Sequence, residues 1–69
     1  MQKLVFRYTR KTSQTTVFLD GYERSEKGVM VRRKREKIAF ANQKEGVALR
    51  SFDKISKEFP LLEPHLQIV

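Results

Sequence analysis

The chain of 69 residues has no cysteine, no tryptophan, one histidine, two prolines and three glycines. Without cysteine there is no disulfide scaffold, no thiol nucleophile and no zinc site built on thiolates. A lone histidine, His65, between Pro64 and Leu66, is read as a surface or partly packed imidazole rather than a catalytic one. With glycines only at 21, 28 and 46, neither G-x-x-x-x-G-K-[ST] nor G-x-G-x-x-G can be written, so no phosphate-cradling loop is expected. No carboxylate pair stands out, and Glu23 and Glu26 are interleaved with Arg24 and Lys27. No oxygen-ligand spacing suits a metal. A non-enzymatic protein without cofactor or metal is therefore expected.

Long apolar runs are also missing. Nothing approaches the roughly 20 residues of a membrane span, and Met1–Arg7 does not read as a signal peptide. The expectation is an intracellular protein, cytoplasmic or nucleoid-associated, with no membrane partner. A chain this short forms one domain, 1–69, with a small core.

Acidic residues are the other scarcity: eight against fifteen lysines and arginines, a formal charge of +7. Residues 1–35 hold ten basic and three acidic side chains, whereas 36–69 hold five of each. The whole excess belongs to the first half, and a one-sided field attracts polyanions.

Hydrophobic patterning gives the elements. Leu4, Phe6 and Tyr8 alternate with Lys3, Val5, Arg7 and Thr9, the period of a half-buried strand. Lys11–Gln14 reads as a turn and Thr15–Leu19 as a second strand. Asp20-Gly21 has the composition of a tight hairpin turn, with Tyr22–Ser25 extending the sheet briefly. Beyond Gly28, Val29 and Val31 share one strand face and Ile38 and Phe40 another, so Arg32–Lys37 is expected at the exposed end between two strands. Asn42–Gly46 reads as a hairpin loop and Val47–Arg50 as a closing strand. Ala48, Phe52, Ile55, Phe59 and Leu62 form one helical stripe, with Ser51 as N-cap and Pro60 as terminator. The aliphatic tail from Leu61 to Val69 should return to the core.

These elements predict an α+β fold. Four or five short antiparallel strands form a small curled sheet or open SH3-like barrel, burying Phe6, Phe18 and Phe40 under one C-terminal helix. The strand order, the Val5-Phe6-x-Tyr8 start and the terminal helix make the outline similar to small basic SH3-like chromatin proteins. The alternative is a β-hairpin followed by a helix-turn-helix, with 38–45 as its first helix and Arg50, Lys54 and Lys57 facing a major groove.

The constellation that points to function is Arg32-Arg33-Lys34-Arg35 with Lys37. Like charges this close repel by about 1 kcal/mol per contact in water, a cost that a bound polyanion relieves. Phosphate binding also gains from counterion release. The candidate nucleic-acid contacts are Lys3, Arg7, Arg10, Lys11, Arg24, Arg32, Arg33, Lys34, Arg35 and Lys37, with Tyr8 and Tyr22 available to stack on bases. Arg7 and Arg32–Arg35 are expected to be the principal contacts in a sheet-and-hairpin clamp. The paired-aromatic signature of RNA-recognition modules and the GXXG loop of KH domains are both missing. Backbone binding with little sequence preference, to DNA in preference to RNA, is thus the leading expectation. The competing expectation is a protein–protein module, such as a phage or mobile-element inhibitor or adaptor, docking the same basic face on an acidic partner. Homodimerisation fits either, because so small a core is often completed by a second copy.

Overall fold

The period-two pattern at the start of the chain forms strand β1, Gln2–Thr9, in a computed structural model that describes residues 1–69. Leu4, Phe6 and Tyr8 are buried on one face, and Lys3, Val5, Arg7 and Thr9 lie on the other. A turn over residues 10–13, with Ser13 at φ 52°, reverses the chain into β2, Gln14–Arg24. The two strands pair antiparallel with Phe6 opposite Val17 and Val5 opposite Phe18. A second turn follows, where the Gly28 N–H donates to the Ser25 carbonyl at 2.9 Å and Gly28 sits at φ +80°, a conformation glycine adopts without strain. It leads into β3, Met30–Asn42, antiparallel to β2. Helix α1, Glu45–Glu58, crosses back, and a 3-10 turn at Pro60–Leu62 leads to β4, His65–Ile68. The sheet order is β3-β2-β1-β4, with β4 parallel to β1. Parallel pairing requires a long crossover, and α1 provides it.

The core is small: Leu4, Phe6, Tyr8, Val17 and Ala48, with Phe52, Ile55, Leu62 and Leu66 packed around them. The rings of Phe6 and Phe52 meet edge-on at 5.7 Å, a favoured aromatic geometry. Ala48, Phe52 and Ile55 form the inner face of α1 as their spacing predicts, whereas Phe59, expected to continue the stripe, is the C-cap and 48% exposed. Glu45 in the first turn and Lys57 in the last both complement the helix dipole. The Phe59 N–H donates to the Ile55 carbonyl, and Pro60 ends the helix. The tail does return to the core, through Leu62 and Leu66, although Leu61 is 92% exposed.

The small α+β class, with its mostly antiparallel sheet and C-terminal helix, agrees with expectation. The SH3-like description fits loosely, because β3 and β4 remain unpaired edges. Several local expectations are overturned. Asp20-Gly21 is not a turn but the middle of β2. Arg32–Lys37 is not a strand end but the centre of one 13-residue strand. Val47–Arg50 is helix rather than strand, so α1 begins before Ser51, which lies inside it. The helix-turn-helix alternative fails because residues 38–42 are strand. Phe40 is 55% exposed and Phe18 faces away from the helix, so neither joins the core.

β3 carries two irregularities. Register against β2 shifts between Val17 and Phe18 and again between Gly21 and Tyr22, leaving Ile38 and Arg33 as unpaired extra residues. Such bulges bend a strand and increase its twist.

Candidate functional site

Because α1 covers one side of the sheet, the opposite side is bare. Alternation and register place six cations there: Lys3 and Arg7 from β1, Arg24 from β2, and Arg32, Arg35 and Lys37 from β3. The same face carries Phe18 and Tyr22 from β2, Phe40 from β3, and His65 and Gln67 from β4.

Its centre is an ordered network. Asp20 is fully buried and accepts two hydrogen bonds from Arg35, Nε to Oδ1 at 2.7 Å and Nη2 to Oδ2 at 2.8 Å. This two-pronged geometry suits a planar guanidinium. Arg32 Nη1 lies 3.9 Å from the same carboxylate. The hydrogen bond from Arg35 holds the Asp20 carboxyl below its ordinary range; burial opposes that shift, and the charges of Arg35, Arg32 and Arg7 reinforce it. Arg35 in turn stays more firmly protonated through its bond to Asp20. Arg7 and Arg35 also hold their guanidiniums over the Phe18 ring, 5.0 and 4.6 Å from its centroid. Arg7 Nε donates to Gln67 Oε1 at 3.1 Å, which ties β4 into the network.

Two further cation–aromatic pairs flank this centre. Lys3 sits 5.2 Å from the Tyr22 ring centroid, and Lys37 5.6 Å from that of Phe40. Between Lys3, Asp20, Tyr22, Arg32 and His65 the surface dips into a shallow cleft of about 460 Å³. On the helix side, a smaller groove of about 200 Å³ runs between Ala39, Ala41 and Ile55, with Thr15 buried at its base.

The sequence-derived contacts are thus divided. Lys3, Arg7, Arg24, Arg32, Arg35 and Lys37 share the open face. Arg10 and Lys11 belong to the β1–β2 turn, where Arg10 is bound to Glu45 at 2.6 Å; that hydrogen bond, with the Glu45 charge, strengthens its hold on its proton. Lys34 pairs in register with Gly21 and lies on the opposite face, and Arg33 is the bulged residue, 3.8 Å from Glu23. The expected clamp at a basic hairpin tip is therefore not formed. Tyr8 cannot stack on bases, since it is buried under the helix with its hydroxyl donating to the Gln43 carbonyl at 3.0 Å. Tyr22 does lie on the open face.

Sequence reasoning missed Phe18, Phe40 and the structural part played by Asp20. The signal for two of them is in Thr15–Asp20, where Thr15, Val17 and Leu19 have one parity and Thr16, Phe18 and Asp20 the other. No helix in the chain is long and apolar enough to cross a membrane. In comparisons with known proteins, the chain matches no family model, no curated protein and no solved structure.

Proposed function

We propose that this chain is a non-enzymatic nucleic-acid-binding domain that receives a phosphate backbone on the open face of its sheet, with little sequence preference. The observation that carries the reading is the gathering of Arg7, Arg24, Arg32 and Lys37 on one bare surface. Arg7, Arg24 and Lys37 form no ion pair, and Arg32 reaches Asp20 only at 3.9 Å. Asp20 is largely neutralised by Arg35, so the field of the face stays positive. The sheet fixes the backbone positions from which these cations project, so only their side chains remain to be ordered on binding.

A salt titration tests the reading. Fluorescence anisotropy against random nucleic acid at two salt concentrations should give a log–log slope of several units, the mark of released counterions. Absence of binding at low salt removes the reading. In that event a protein–protein module becomes the better account, supported by Phe59 and Leu61, which stay exposed beyond the helix stripe.

A further inference from the structure

We infer that the open face takes single-stranded nucleic acid, with bases stacked on Phe40, on Tyr22 and on the guanidiniums that cover Phe18, and phosphates held by the neighbouring cations. This rests on the reading of the face as a nucleic-acid interface and adds the form of the ligand.

The argument begins with Phe40. Phe40, two residues before the end of β3, is 55% exposed and lies outside the buried core. It shares its face with Tyr22 and with Phe18, and each of the three rings is accompanied by a cation. Phe18 is covered by both Arg7 and Arg35, which leaves flat guanidiniums as the surface above it. Phe40 and Tyr22 carry one lysine each. Stacking platforms joined by cations are the arrangement that suits unpaired bases, because every base has a π-face and every linkage a phosphate.

Spacing separates single strands from duplex. Phe40 pairs in register beside Thr16, two residues from Phe18 along the sheet, and Tyr22 is four residues beyond Phe18. With a rise of about 3.4 Å per residue and about 4.8 Å between strands, the first step is roughly 8 Å and the second roughly 14 Å. Bases stacked in a duplex strand stand about 3.4 Å apart and present only their edges. They cannot meet these rings face to face. Bases of an unstacked strand can, with Arg7, Arg32 and Lys37 placed beside the linkages.

The test compares a twelve-residue oligo-dT, the matching oligo-rU and the corresponding duplexes by fluorescence anisotropy, using wild type, Phe40→Ala and Phe40→Trp. Phe40 is exposed, so its replacement should leave the fold intact, which circular dichroism checks. Single strands of either sugar should bind more tightly than duplex. Phe40→Ala should weaken single-strand binding about tenfold, with the salt slope unchanged because no phosphate contact is removed. The chain has no tryptophan, so Phe40→Trp supplies a unique fluorophore whose emission should be quenched by oligo-dT or oligo-rU and not by duplex. Duplex binding as tight as single-strand binding, or an unaffected Phe40→Ala, overturns the inference while the broader reading stands. If nothing binds at low salt, both fall.

Discussion

Arg35 and Asp20 face each other across β2 and β3 in register, joined by two hydrogen bonds, with the carboxylate fully buried and the arginine side chain 26% exposed. The asymmetry in exposure decides what each half of the pair can do without the other. A released arginine can turn toward water, whereas a released aspartate would remain buried as an unpaired charge.

Arg35→Met should accordingly destabilise the protein by about 3–5 kcal/mol, much of the total expected for a chain of this size. The double variant Asp20→Val/Arg35→Met should recover most of that loss, because removing both partners leaves no stranded charge. Urea denaturation of the two variants measures this. A mild effect of the single substitution would show that Arg32, at 3.9 Å, is able to replace Arg35. One consequence is that Arg35 is a poor position for probing ligand binding by charge reversal.

The same pair sets a pH dependence. The folded-state pKa of Asp20 is depressed relative to the unfolded chain, so its contribution is complete above the ordinary carboxyl value of about 4 and is lost as pH falls through the lower folded value. Urea midpoints should therefore drop on acidification below about pH 4, and more steeply in wild type than in Asp20→Val/Arg35→Met. Equal acid sensitivity would place the effect elsewhere.

Lys34 and Lys37 lie on opposite faces of β3, and both are exposed. Lys37→Glu should weaken nucleic-acid binding severalfold more than Lys34→Glu, although both change the net charge by the same amount. Only Lys37→Glu should reduce the salt slope, by about one unit. Equal losses, measured by anisotropy, would mean that overall charge rather than the open face governs binding.

Tyr8→Phe removes the hydroxyl that donates to the Gln43 carbonyl. A stability loss of about 1 kcal/mol is expected, with nucleic-acid affinity unchanged. A drop in affinity without a drop in stability would contradict the buried placement of Tyr8.

Thr15 is buried and its hydroxyl has no hydrogen-bond partner. Thr15→Val keeps the branched shape on a strand and removes the desolvated oxygen, so thermal denaturation should show a gain of about 1 kcal/mol. A loss of stability would reveal a partner for that oxygen.

The parts of the fold that were legible in the sequence are those where one periodicity acts alone. Leu4, Phe6 and Tyr8 on β1, and Ala48, Phe52 and Ile55 on α1, announce their buried faces through spacing. β3 hides its pattern, because the extra residues at Arg33 and Ile38 shift the alternation twice and split one strand into two apparent fragments. Asp20-Gly21 has the chemistry of a turn, but the strong pairing of β1 and β3 on either side keeps it extended. The helix start was obscured because Val47 and Leu49 suit a strand as well as a first helical turn, and Lys44 supplies no side-chain cap. As for the site, the sign of the charge was plain from composition. Which cations share a surface depends on register, and register was not.

The bulges in β3 also govern what the molecule does with its own kind. β3 is an outer strand thirteen residues long, and an unbroken ribbon of that length would offer a neighbour a full ladder of free amides and carbonyls. A straight strand laid alongside would fall out of step at Ile38 and again at Arg33, and would meet crowded positive charge between them. Pairing of a second strand along this edge is thereby disfavoured.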